Sequence, residues 1–257
     1  MEASMKENKM GTMPVNKLLL SMAVPMMISM LVQALYNVVD SIFVAKYSAA
    51  CMTAISLVFP LQTLMIAAGS GLGVGMNAIL SRNLGAKNQE GVNKTAFNGI
   101  AIYLICYVIF LLVGLFVAEP FMRAQASSEE IAEAGTVYLQ IVCCCSIGMF
   151  TQFCFERMLQ ATGKTIYSMF TQMTGAIINV ILDPILIFGL LGAPRMGMAG
   201  AAAATVIGQC VAGLMAIIFN FKFNKEIQLR KIKKFRPDGS AMGRIIYIGA
   251  PSILMQS

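Results

Sequence analysis

The stretch from Ala96 to Ala118, AFNGIAIYLICYVIFLLVGLFVA, decides the fold, because it contains no charged side chain over a length that can cross a lipid bilayer. A transmembrane helix needs about 20 mostly apolar residues. The chain contains six such spans, which are 18–44, 51–80, 96–118, 135–159, 166–190 and 197–220. The sequence therefore predicts an all-α, polytopic membrane protein with a six-helix transmembrane bundle.

The composition of the whole chain excludes a soluble domain. Hydrophobic residues make up 58% of the 257 residues, charged residues make up 12%, and the mean hydropathy is +0.74. Soluble domains carry about 45–50% apolar and about 25% charged residues. The net charge of +7 does not indicate nucleic acid, because the basic residues lie between the spans, where membrane lipid head groups are the expected partners. Histidine is absent and no two cysteines have C-x-x-C spacing, so no cofactor and no structural metal site are expected.

The basic residues predict the topology. Of the 19 Lys and Arg residues, only Lys46, Arg123 and Arg195 fall on the side opposite to the N-terminus. The positive-inside rule then predicts a multi-pass protein of the cell membrane with its N-terminus in the cytoplasm. The predicted regions are a cytoplasmic N-terminal segment (1–17), a six-helix bundle (18–220), a basic cytoplasmic linker (221–244) and the start of a seventh helix (245–257).

The start of the seventh helix resembles the start of the first. Residues 19–28, LLSMAVPMMI, align without gaps to residues 245–254, IIYIGAPSIL, and Pro25 aligns with Pro251. Parallel internal repeats are common in secondary transporters. The alignment therefore predicts one complete bundle followed by the beginning of a second.

Two spans carry a stripe of polar side chains that ends in an aspartate. The stripes are Gln33, Tyr36, Asn37 and Asp40 in the first span, and Gln172, Asn179 and Asp183 in the fifth. Their spacings of three, four and seven residues put each stripe on one face of its helix. Because polar groups inside lipid are costly, the stripes indicate a functional site.

The two aspartates reach a similar depth. A helix rises about 1.5 Å per residue, which puts Asp40, Asn179, Asp183 and Thr205 of the sixth span in the outer half of the bundle. Carboxylate, amide and hydroxyl oxygens suit an alkali cation, and neighbouring carboxylates tend to share a proton. The sequence thus predicts a coupling site for Na⁺ or H⁺ at these four residues, with Asp40, Asn179 and Asp183 as the Na⁺ ligands. The remaining stripe residues form a supporting polar face. The alternative for Asp40 is that it lies at the outer interface and only caps a helix end.

Three further features are expected to affect the shape and the contacts of the helices. Pro25 and Pro184 remove a backbone donor from their helices and are predicted to kink them. The glycine-rich run 69–75 follows no strand, so it predicts close helix packing rather than a dinucleotide site. Glu156 and Arg157, near the end of the fourth span, are expected to form an ion pair or a gate contact.

Several runs resemble one family of transporters. NVILDPILIFG (179–189), followed by GMAGAAAAT (197–205), is similar to the signature of spans five and six in multidrug and toxic compound extrusion (MATE) transporters. NVVDSIFV (37–44), SRNLGA (81–86) and ERMLQATG (156–163) fit the same family.

The resemblance implies a 12-helix fold of two six-helix lobes around a V-shaped cavity, with this chain providing one lobe. It also implies export of small, cationic, amphipathic molecules coupled to inward flow of Na⁺ or H⁺. The positions that match Asp40, Asn179 and Asp183 form the cation site of the N-terminal lobe in that family, whereas the match at Thr205 is weaker. Since the second lobe would follow Ser257, the isolated chain is expected not to transport.

Two other functions fit the sequence less well. A flippase for lipid-linked oligosaccharides, from the same wider superfamily, is expected to have a more basic cavity than these acidic and amide-rich stripes. A membrane-embedded enzyme is not expected, because the sequence has no histidine and neither an H-E-x-x-H nor a G-x-S-x-G motif.

Overall fold

The computed structural model describes residues 13–228 and 237–256, and within these ranges the regular structure is helical. The helices are α1 (Val15–Tyr47), α2 (Ala49–Gly85), α3 (Gln89–Phe116), α4 (Ala118–Gln125), α5 (Glu129–Cys144), α6 (Ile147–Ala161), α7 (Thr165–Phe188), a 3₁₀ turn (Leu190–Gly192), α8 (Met198–Phe223) and α9 (Gly239–Gln256). Most of the predicted N-terminal segment 1–17 and the middle of the predicted linker 221–244 lie outside the described residues, as does residue 257 of the predicted seventh helix.

The predicted membrane bundle is confirmed, with one correction. Helices α1, α2, α3, α7 and α8 are each long and apolar enough to cross a membrane. The fourth predicted span, 135–159, is not one helix. It consists of α5 and α6, which meet at a bend of 45°. Counted as one broken span, this pair brings the number of spans to six.

Side chains at this bend replace helical hydrogen bonds. The hydroxyl of Ser146 donates to the carbonyl oxygen of Cys143 at 2.7 Å, and the hydroxyl of Tyr107 approaches the carbonyl oxygen of Cys144 at 3.4 Å. Backbone carbonyls that have such partners are not left unsatisfied inside lipid, so the span tolerates the break.

Small residues bring α7 and α8 into close contact. A Cβ atom at Gly208 would lie 2.7 Å from the carbonyl oxygen of Gly175, a distance that only glycine allows. Backbones that approach this closely are typical of membrane helix pairs. One turn along each helix, Asn179 and Thr205 consequently face each other.

The glycine-rich run of α2 is the surface on which α9 packs, which confirms the predicted close packing. A Cβ at Gly71 would lie 3.1 Å from the carbonyl oxygen of Gly249, and a Cβ at Gly75 would overlap the carbonyl oxygen of Ile245. The hydroxyl of Ser70 also donates to the side-chain oxygen of Gln256 at 2.5 Å. The start of the seventh helix is thus held against the second by direct backbone contact.

Helix α9 begins at Gly239, six residues before the apolar run that predicted it. Its start is set by Asp238, whose carboxylate accepts from the backbone N–H of Ser240 at 2.9 Å. Asp238 also pairs with Lys94 of α3 at 2.5 Å. Such a cap satisfies a free N–H of the first turn, and hydropathy alone does not reveal it.

Helix α1 contributes little to the core of the bundle. Its buried residues are Pro25, Ser29 and Val44, whereas thirteen residues of α2 are buried. Packing of α1 against the lobe is mainly with α7.

Candidate functional site

Asp40 of α1 and Asp183 of α7 come together near one end of the bundle. Their carboxyl groups are close enough to interact directly with each other. Asp183 is completely buried and Asp40 is partly buried, and one oxygen of each (Oδ1) has no hydrogen-bond partner among the described residues. Two carboxylates this close repel each other unless a proton or a cation lies between them. Asp40 therefore faces Asp183 and is not simply a cap at a helix end.

The amide of Asn179 connects this acidic pair to α8. In the orientation that satisfies both ends of the amide, Nδ2 donates to Oδ2 of Asp183 at 3.1 Å, and Oδ1 accepts from the backbone N–H of Thr205 at 3.1 Å. In the opposite orientation, Nδ2 donates to Oγ1 of Thr205 at 3.2 Å and the amide oxygen faces Asp183. The four residues predicted for the site are thus brought together by three helices.

A cavity of about 240 Å³ opens beside the acidic pair. All four polar residues of the α1 stripe line it, together with Gln172, Asn179 and Thr205. Asp183 is buried and is not among the residues that line the cavity. The supporting polar face that the stripe predicted is therefore the wall of a cavity.

Sequence reasoning missed several residues of the cavity wall. They are Gln62 of α2, Tyr138 of α5, Gln152 and Glu156 of α6, and Gln209 of α8. Each is a polar residue in an apolar span, which is the signal that identified Asp40. They belong to no polar stripe ending in an aspartate, and so they were not connected to the site.

The predicted ion pair between Glu156 and Arg157 is wrong. Glu156 is only 2% exposed and accepts hydrogen bonds from Nε2 of Gln152 at 2.9 Å and Nε2 of Gln172 at 2.7 Å. Arg157 instead donates to Oε1 of Gln160 at 2.9 Å. Consecutive residues of a helix do not face each other, which explains the error. Gln172, predicted to support the aspartates, contacts Glu156.

The two prolines lie inside helices that continue on both sides of them. Pro25 is buried in the first half of α1, and Pro184 follows Asp183 directly in α7. Their predicted role as kinks stays a prediction.

The chain is similar to known proteins. The family model described as MatE matches residues 25–185. The multidrug export protein MepA of Staphylococcus haemolyticus (strain JCSC1435) is 31% identical over 240 residues, which are 93% of this chain and 52% of that protein. MepA of Staphylococcus aureus (strain NCTC 8325 / PS 47) is 30% identical over 247 residues, which are 94% of this chain and 53% of that protein.

Solved structures agree with the sequence comparison. A crystal structure of a MATE in complex with MaL6 matches with a TM-score of 0.86 and 28% identity, over 93% of this chain and 52% of that chain. A MOP superfamily transporter from Pyrococcus furiosus, whose binding pocket is described as reversed in polarity, matches with a TM-score of 0.84 and 29% identity over the same shares. The chain spans about half the length of these relatives. From the matched family model, the shared helical bundle and the membrane-spanning helices, we conclude that this chain belongs to the MatE family and forms one lobe of a MATE-type fold.

Proposed function

We propose that this lobe works with a second lobe as an antiporter, which exports organic cations in exchange for Na⁺ or H⁺. The observation that carries this proposal is the contact between Asp40 and Asp183, each with a buried oxygen that has no partner among the described residues. The naming of two relatives as multidrug export proteins supports the substrate class.

Exchange follows from the electrostatics of the acidic pair. A proton or cation between the carboxyl groups removes their repulsion and favours the arrangement in which α1 lies against α7. When the ion leaves, two like charges remain close together, and the state in which α1 has moved away becomes favoured. Two access states whose populations depend on the ion are the requirement for coupled exchange.

The orientation of the Asn179 amide distinguishes coupling to H⁺ from coupling to Na⁺. When Nδ2 donates to Asp183, the amide oxygen is engaged by Thr205 and the acidic pair holds a proton. When the amide is reversed, its oxygen joins those of Asp40 and Asp183 as a hard ligand of the kind that alkali cations prefer. These three residues would then hold Na⁺, which is cargo of the exchange and not a resident cofactor.

The charges of the cavity wall favour export of cations over the flippase alternative. The wall contains Asp40 and Glu156, and none of the described residues that line it is Lys or Arg. A site for the phosphates of a lipid-linked oligosaccharide would need basic side chains. We also propose a cytoplasmic N-terminus in the cell membrane, because sixteen of the 19 basic residues lie on that side.

The test uses the complete two-lobe protein in proteoliposomes and measures ethidium export under an imposed gradient. Asp183→Asn should lower coupled export by roughly tenfold or more, because an amide holds neither a titrating proton nor a negative charge for Na⁺. Asp238→Asn, which changes a partly exposed aspartate outside the spans, is the control. Collapsing the pH and sodium gradients separately identifies the ion. Wild-type export by the Asp183→Asn variant would contradict the proposal.

A further inference from the structure

A second carboxylate lies at the other end of the cavity from the aspartate pair. Glu156 is bound by Gln172, and Gln172 and Asp183 are separated by eleven residues of α7. At about 1.5 Å per residue, this separation amounts to about 16 Å along the helix axis. Glu156 is therefore a separate acidic centre and contacts neither aspartate.

The donors around Glu156 are neutral. The side-chain amides of Gln152 and Gln172 donate to opposite oxygens of the carboxylate. The hydroxyl of Thr171 lies 2.7 Å from Oε1 of Glu156 and 2.7 Å from the carbonyl oxygen of Ser168, to one of which it donates. These contacts fix the carboxylate against α7 and supply no positive charge.

Glu156 forms no ion pair among the described residues, although the positive charge of Arg157 still acts on it. The four ion pairs formed in residues 13–228 and 237–256 join other side chains. The nearest cation in sequence, Arg157, is directed to Gln160. A buried charge without a counter-ion is costly, and such charges are normally paired or bind a ligand. A carboxylate has about four lone-pair sites, and at most three are used here.

The wall around Glu156 suits a large apolar cation. Phe59, Ile66, Met149 and Phe153 line the same cavity. Aromatic and aliphatic side chains supply most of the contact area in small-molecule sites, and a few polar groups fix the orientation of the ligand. Aromatic faces also attract cations.

We propose that Glu156 binds the positively charged group of the exported molecule and is the residue that selects cations over anions in this lobe. The proposal rests on the export function but concerns a different step, because the aspartate pair exchanges the coupling ion and Glu156 recognises the substrate. Its neutral donors hold the carboxylate in position, and the apolar wall accepts the rest of the molecule.

Tetraphenylphosphonium and tetraphenylborate test this proposal, because they have nearly the same shape and opposite charge. The cavity lies within the described bundle, so binding is measured on the purified 257-residue chain in nanodiscs. The measured quantity is the ratio of the two affinities, which does not depend on the fraction of chain that is folded. Glu156→Gln should lower the preference for the cation by roughly tenfold or more, because it removes the charge and keeps the shape.

A second variant removes the effect of the charge without removing Glu156. Gln152→Lys puts an ammonium group one helical turn from the carboxylate and should lower the ratio in the same direction. Glu133→Gln, on an exposed position of α5, is the matched control and should leave the ratio unchanged. Both probes also partition into lipid, but this contribution is the same for every variant and cancels in the comparison. A ratio in Glu156→Gln or Gln152→Lys equal to that of the control would overturn the proposal.

The outcomes for the two proposals are distinguishable. Asp183→Asn should keep the cation preference in binding while losing coupled export, and Glu156→Gln should lose the preference while its residual export still responds to the ion gradient. If Asp183→Asn exports normally but Glu156→Gln loses selectivity, the coupling site is wrong and the substrate site stands.

Discussion

Replacing Gly75 by alanine should loosen α9 from α2. A Cβ at this position would overlap the carbonyl oxygen of Ile245 and lie 3.0 Å from its carbonyl carbon and 3.1 Å from the amide nitrogen of Gly249. Ordinary contacts of a Cβ begin at 3.4 Å. All three neighbours are backbone atoms, so no side chain can rotate away and α9 itself must shift. Overpacking of this kind costs about 1–3 kcal/mol, and the better helix propensity of alanine recovers at most about 1 kcal/mol.

Amide hydrogen exchange of α9 measures this loss, with the protein in nanodiscs and the exchange read by mass spectrometry. A net loss of about 1–2 kcal/mol corresponds to exchange that is roughly five- to thirtyfold faster in the segment 245–256. Gly85→Ala is the matched control, because Gly85 ends the same helix and a Cβ there meets nothing within 4 Å. Wild-type exchange of α9 in Gly75→Ala, or equal acceleration in Gly85→Ala, would refute the packing argument.

Two further contacts give predictions. Tyr47→Ala should lower the melting temperature and Tyr47→Phe should not, because the contacts are made by the ring and not by the hydroxyl. The ring centroids of Tyr47 and Phe188 are 6.3 Å apart, and the guanidinium of Arg195 lies 5.3 Å from the Tyr47 ring. Equal melting temperatures of the two variants would contradict this. The hydrogen bond from Lys94 lowers the pKa of Asp238 below its ordinary 3.8. The contact therefore stabilises the folded state fully above pH 3.8, and this stabilisation is lost as the pH falls through the lowered pKa. A carbon-detected NMR titration of Asp238 should show its pKa rise toward the ordinary value in Lys94→Met, and an unchanged titration would show that Lys94 is not the cause.

The arrangement of the acidic pair could be predicted because the spans cross one slab of fixed thickness. Counting residues from the ends of each span gives a depth, and depths in the outer half of three helices brought Asp40, Asp183 and Thr205 together in the prediction. Helical spacing then gave the face on which each side chain lies. Depth and helical face both follow from positions within a single span, so a single sequence is enough to predict them.

The environment of Glu156 could not be predicted in this way, because it depends on how α6 is rotated against α7. Adjacent charges in the sequence suggested a pair with Arg157, whereas Thr171 and Gln172 of the next helix are the actual neighbours. The bend after α5 was missed for a related reason. Both halves of the span are apolar, and the partner of the broken backbone, Tyr107, comes from another helix.

The sparse packing of α1 limits the cost of moving it. Only three residues of α1 are buried, Pro25, Ser29 and Val44, and their release into lipid costs packing contacts but little hydrophobic free energy. Moving α1 therefore breaks few buried contacts, whereas moving α2 would break those of thirteen buried residues. Of these two helices, Asp40, one member of the acidic pair, thus lies on the one whose movement breaks fewer buried contacts.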